Sequence, residues 1–156
     1  MDVAALSGPD GSIHPGFRLV VSHGKSRAKN KELVILRMAT LRGSFYELKH
    51  HLPAAKMAGL SEQEISVIIS AQPFGLDQKL SVMIQLVDDC YQLGKVSDSS
   101  FEKASKIFSV PDIAEATLLA GLYEMLACFL KSMGVELDQH GLNWSEVDRQ
   151  SINKGG

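Results

Sequence analysis

Tyr46-Glu47-Leu48-Lys49-His50-His51 is where several ionisable side chains of catalytic type gather within one short stretch of the chain. Glu47 and His51 are four residues apart, which on a helix places them on one face. A carboxylate there can hydrogen-bond an imidazole nitrogen, fix its tautomer and raise its basicity above the ordinary pKa of roughly 6.5. Such a pair can move a proton near neutral pH. The same spacing also fits an exposed ion pair, worth only a few tenths of a kcal/mol. His50 points about 100° away around the helix, so the two histidines cannot easily share Glu47. A metal site built on Glu47, His51 and Glu32 is a further alternative, but no HExxH or paired-histidine spacing supports it. No resident metal is therefore expected.

These side chains need a scaffold, and the surrounding sequence reads as helices throughout. Residues 31–41 carry Leu33, Val34, Leu36 and Met38 with few breakers, and Gly43 ends that helix. Phe45, Leu48, Leu52 and Ala55 recur at spacings of three and four, predicting a second helix over 44–58 that closes at Gly59. Pro53 lies inside it, removes one backbone donor and predicts a kink a turn earlier, at His50 and His51. Ser61-Glu62-Gln63-Glu64 is a capping box opening a third helix, with Ile65, Ile68 and Ile69 buried behind it. Leu76, Leu80, Met83, Ile84, Val87 and Tyr91 define a fourth helix ending at Gly94, and 98–108 a fifth. Ser109-Val110-Pro111-Asp112 starts a long sixth helix, expected to be mostly buried, and Gly134 stops it. No strand is predicted.

The predicted fold class is thus all-α, a bundle of about six helices. It comprises an irregular Gly/Ser/Pro-rich arm over 1–30, a helical domain over 31–137 and a polar tail over 138–156, in which Trp144 docks the tail or meets a neighbouring subunit. One core is the expectation for 156 residues of ordinary globular composition, 45% hydrophobic and 22% charged.

A net charge of −2 leaves no electrostatic footprint for nucleic acid. Lys25, Arg27, Lys29 and Lys31 form a basic cluster without aromatic company, read as a solvated helix entry. The apolar run 113–133 carries Glu115 and Glu124, which argues for a soluble helix over a membrane span. Glu124, if buried, demands a partner. Asp88 and Asp89 are expected to face solvent, and Cys90 and Cys128 to be buried free thiols. No leader is evident, so cytoplasmic residence is the expectation.

The order Lys31-Glu32-Leu33-Val34-Ile35-Leu36-Arg37-Met38-Ala39, then Tyr46-Glu47, then histidine, then Ala58-Gly59-Leu60-Ser61-Glu62-Gln63-Glu64-Ile65 resembles the carboxymuconolactone decarboxylase family and its AhpD-like relatives. The likeness extends to Val87-Asp88-Asp89, Phe101 and Leu119-Ala120-Gly121-Leu122-Tyr123. The resemblance selects His51 over His50, because the family's functional histidine lies eight positions before the helix-ending glycine. It also implies that Glu47 occupies the acidic position a turn earlier, and that Glu32 on the preceding helix relays protons through His51. Where the alkylhydroperoxidase branch carries a redox Cys-x-x-Cys pair, this chain has Ser44 and Glu47, so a thiol peroxidase is not expected.

What the resemblance implies is a cofactor-free enzyme acting on a small enolisable substrate, a lactone, keto acid or polyketide-like molecule, by decarboxylation, isomerisation or cyclisation. His51 is then the general acid/base, tuned by Glu47 and assisted by Glu32, while Tyr46 donates to a developing enolate and His50 contacts substrate. A homo-oligomer is the implied assembly. The alternative is a non-catalytic helical binding or assembly protein, from which an enzyme differs in having a cavity lined by Met, Phe and Leu at the Glu/His face.

Overall fold

The computed structural model describes residues 25–135, which form six helices and no strand among the described residues. The arm over 1–24 and the tail over 136–156, with Trp144, lie outside them. The helices are α1 (Lys25–Arg42), α2 (Phe45–Met57), α3 (Glu62–Ile68), α4 (Gln78–Leu93), α5 (Asp98–Ser105) and α6 (Val110–Ser132). The all-α expectation holds.

α1 starts at Lys25, earlier than the sequence pattern marks, and it is the hub of the bundle, packing against α2, α4 and α6. Leu33, Leu36, Met38 and Ala39 on it are completely buried, and Leu48, Ile68, Met83, Leu86 and Val87 meet them from α2, α3 and α4. Its early start has a physical cause. The basic residues are not merely solvated: Arg27 pairs with Asp112 at 3.1 Å, Lys29 with Glu64 at 2.8 Å and Lys31 with Glu115 at 2.9 Å, so tertiary contacts hold the first turns. Arg42, at the other end of α1, pairs with Glu124. Residue numbers rise together along Arg27–Asp112, Lys31–Glu115 and Arg42–Glu124, so α1 and α6 run in the same direction.

Between α1 and α2 the chain reverses through Gly43, whose φ of +59° is the left-handed conformation that glycine adopts without a Cβ penalty. The reversal is short, and it sets the start of α2 against the end of α1. α2 runs through Pro53 as one helix. Both capping boxes form: Ser61 Oγ accepts from the Glu64 N–H while Glu64 Oε2 accepts from the Ser61 N–H, and Ser109 and Asp112 reciprocate in the same way.

Two acids expected in solvent are structural instead. Asp88 grips the buried Arg37 guanidinium through two bonds of 2.7 and 3.0 Å, and Arg37 also donates to the carbonyls of Ile68 and Ser70, which fastens α1 to α4 and to the end of α3. Asp89 is buried, accepts from the Ser97 N–H at 2.9 Å and from Gln85 at 3.0 Å, and so clamps the start of α5. The reason is the demand of a buried guanidinium and of a helix start for acceptors, which period alone does not reveal. Cys90 is buried as expected, whereas Cys128 is exposed.

α6 also departs from expectation, since only Ile113, Ala116, Ala120 and Ala127 on it are buried. By length and composition alone it is apolar enough to cross a membrane. Its three acids Asp112, Glu115 and Glu124, however, are all engaged by α1.

Candidate functional site

Three helices converge on His51. It sits in the middle of α2, Glu32 approaches from α1, and Tyr123 approaches from α6. Glu32 Oε2 lies 2.9 Å from Nδ1 of His51. The Tyr123 hydroxyl lies 2.9 Å from Nε2, with the two rings edge-on at 5.2 Å between centroids. Both ring nitrogens are therefore engaged. The His51 and Glu32 side chains keep 23% and 17% of their surface exposed, which leaves the pair shielded without being sealed from solvent.

Glu47 is placed differently from the reading of its spacing. It is only 3% exposed, and neither carboxylate oxygen makes a hydrogen bond. Burial pushes its pKa up, against the smaller opposing influence of the nearby Ser44 hydroxyl and of His51. The expected Glu47–His51 hydrogen bond is thus not made, and Glu32 takes the imidazole instead. Spacing of four puts two side chains on the same face, but the α2 face is divided: Glu47 turns into the bundle while His51 reaches across to α1 and α6. Glu47 nevertheless stays close enough for its charge, with that of Glu32, to act on Tyr123, whose phenol is raised first by burial and then by these two carboxylates.

Tyr46 and His50, expected at the substrate, meet as tilted rings with centroids 4.4 Å apart, outside the His51 hydrogen bonds. His50 is exposed. Glu124, flagged for its place in an apolar helix, has its partner in Arg42, whose guanidinium also lies 4.7 Å over the Tyr91 ring. Among the described residues no three His, Cys, Asp or Glu side chains are grouped so as to hold a metal ion. A shallow depression between the first turns of α1 and α6, lined by Arg27, Lys31, Asp112 and Glu115 among others, does not reach His51.

Tyr123 is the member that sequence reasoning missed. It fell within the run 119–123, read as packing, yet a tyrosine inside an apolar helix brings a hydroxyl that needs a partner when buried. That requirement was the available signal.

The sequence profile of the carboxymuconolactone decarboxylase family matches residues 16–89, which span Glu32, Ser44, Glu47 and His51. The fold is shared with a crystal structure from Agrobacterium tumefaciens, of a protein of unknown function whose suggested role is that of the antioxidant defence protein AhpD. The TM-score is 0.63 at 19% identity, over 70% of this chain and 77% of that one. No curated protein matches significantly. Over residues 16–89 the chain is similar to the carboxymuconolactone decarboxylase family, and its fold is AhpD-like.

Proposed function

We propose that the protein is a cofactor-free proton-transfer enzyme of the decarboxylase, isomerase or cyclase kind, acting in the cytoplasm on a small enolisable lactone, keto acid or polyketide-like substrate. The observation that carries this reading is the imidazole of His51 held between a carboxylate and a phenol, beside a second, buried carboxyl, Glu47, that makes no close hydrogen bond and has the Ser44 hydroxyl as its polar neighbour. A carboxyl whose pKa is raised by burial is a perturbed group of the kind that gathers at functional sites. With no electron sink supplied by a cofactor, the substrate must carry its own, which points to β-keto or vinylogous carboxylates and lactones. Thiol peroxidase chemistry is disfavoured, because Ser44 and Glu47 stand where that branch carries its cysteine pair. Cys90 and Cys128 offer no replacement, the first buried with its thiol pKa raised by burial and by Asp89, the second alone on α6.

The test is a panel of unsaturated carboxylactones and β-keto acids, followed by ultraviolet absorbance and CO2 release. The wild-type chain should turn over at least one of them, and His51→Ala should lower that rate at least 100-fold with the helical circular dichroism unchanged. A His51→Ala variant as fast as wild type would end this reading.

We further propose that the working form is a homo-oligomer built on α6. Leu118, Gly121, Leu122, Met125, Cys128, Phe129, Ser132 and Met133 form an exposed face without a single charge, with Met125 60% and Phe129 55% exposed. The face repeats at seven residues: Leu118 and Met125, Gly121 and Cys128, Leu122 and Phe129. A heptad repeat of this kind suits another helix bearing the same stripe, and the self-complementary partner at hand is a second copy of this chain.

A further inference from the structure

An imidazole with both nitrogens hydrogen-bonded has none left for a substrate. Glu32, 2.9 Å from Nδ1, is as a carboxylate an acceptor only, so in the neutral ring Nδ1 carries the hydrogen, Nε2 presents its lone pair, and the Tyr123 hydroxyl is the donor at 2.9 Å. The order carboxylate, imidazole, hydroxyl is that of a general-base relay whose outermost group is the hydroxyl.

We propose that the Tyr123 hydroxyl, and not the His51 ring, is the group that exchanges the proton with the substrate, with His51 as its proton store and Glu32 as the residue that positions the ring. This rests on the proton-transfer reading above and assigns its reacting atom. Tyr123 lies on α6, outside the stretch that the family profile matches.

The step balances without any co-reactant. The Tyr123 O–H proton passes to His51 Nε2, and the phenolate oxygen takes the proton from the carbon beside the substrate carbonyl. That C–H bond breaks, its electron pair enters the enolate, and the imidazolium faces the Glu32 carboxylate. In the return, the Tyr123 O–H protonates the enolate at the same or a conjugated carbon, and His51 gives its Nε2 proton back to the phenolate. In a decarboxylation the carbanion left by CO2 takes the Tyr123 proton, and one proton from water restores the relay. A phenol whose acidity is weakened by burial and by two neighbouring carboxylates yields a stronger base once deprotonated, which suits a weakly acidic C–H.

The first measurement needs no substrate. Ring 15N spectra of the histidine-labelled full chain should show His51 as the Nδ1–H tautomer in wild type, the form less favoured in free histidine, and Glu32→Ala should release that preference. His51 found as the Nε2–H tautomer in wild type overturns the proposal, whether or not any substrate has been identified. With a substrate from the panel, Tyr123→Phe should lower kcat at least tenfold and leave KM within twofold, and a smaller loss of kcat returns the reacting role to His51. Global replacement of tyrosine by 3-fluorotyrosine keeps the hydroxyl should Tyr123→Phe fail to fold. It should move the limb of the kcat profile that reports the phenol to lower pH, and a profile unmoved contradicts the assignment.

Discussion

At the level of a single side chain, the proposed function has Glu47 trade stability for activity. Its pKa is raised by burial, so the folded chain binds its proton more tightly than the unfolded chain does. For a raised group the stabilising contribution is full below the ordinary carboxylate pKa and is lost as pH rises through the folded value, which leaves a penalty at neutral pH. Glu47→Gln should therefore raise stability at pH 7 by about 1 kcal/mol, read from urea unfolding, while lowering turnover at least tenfold. A variant that is destabilised and fully active would contradict both halves of this account. Glu47 and the paired histidines were legible from their types and spacing, whereas Glu32 and the choice of His51 over His50 came from the family resemblance. The connections among them were not legible. Spacing of four suggested Glu47 as the partner of His51, but which carboxylate reaches the ring depends on how α1 lies against α2, and no local pattern encodes that. Tyr123 is separated from His51 by 72 positions, so only the packing of α2 and α6 on α1 brings the pair together.

Helices were the most legible scale. Ser61 and Ser109 with their partners Glu64 and Asp112 mark helix starts because the reciprocal bonds are local, and both form as read. The start of α1 was misplaced because ion pairs to α3 and α6 hold it, a cause outside the helix itself. Asp88 and Asp89 were misread for a related reason, since both serve neighbouring elements. Arg37→Ala should cost about 3–5 kcal/mol in urea unfolding, because it strands Asp88 and two backbone carbonyls. Asp89 gives a pH signature. Burial alone would raise its carboxyl, but the hydroxyls of Ser97 and Ser100, the Ser97 N–H and Gln85 outweigh it and hold the pKa at about 2, against 3.8 for an ordinary aspartate. This depressed group stabilises the fold fully above pH 3.8, and its contribution is lost as pH falls toward 2. The difference is about 2 kcal/mol, and it should vanish in Asp89→Asn when stability is followed down that range.

Across the whole molecule, one face of α6 holds the bundle and the other is apolar and exposed. The expectation of a mostly buried helix came from its composition, which records how apolar a segment is and not what covers it. A second copy explains both observations. Light scattering after size exclusion should show an oligomer for the wild-type chain at tens of micromolar, and Phe129→Glu should reduce it to monomer with its helices retained. A monomeric wild type would remove the proposed interface. The central claim, that His51 belongs to a proton relay acting on carbon, is tested most directly by turning over an accepted substrate in D2O and following deuterium in the product by mass spectrometry. On a substrate that loses CO2, the wild-type chain should place one solvent deuteron on the carbon released at the rate of turnover, and His51→Ala should slow that incorporation at least 100-fold. Incorporation by His51→Ala at the wild-type rate would contradict the account.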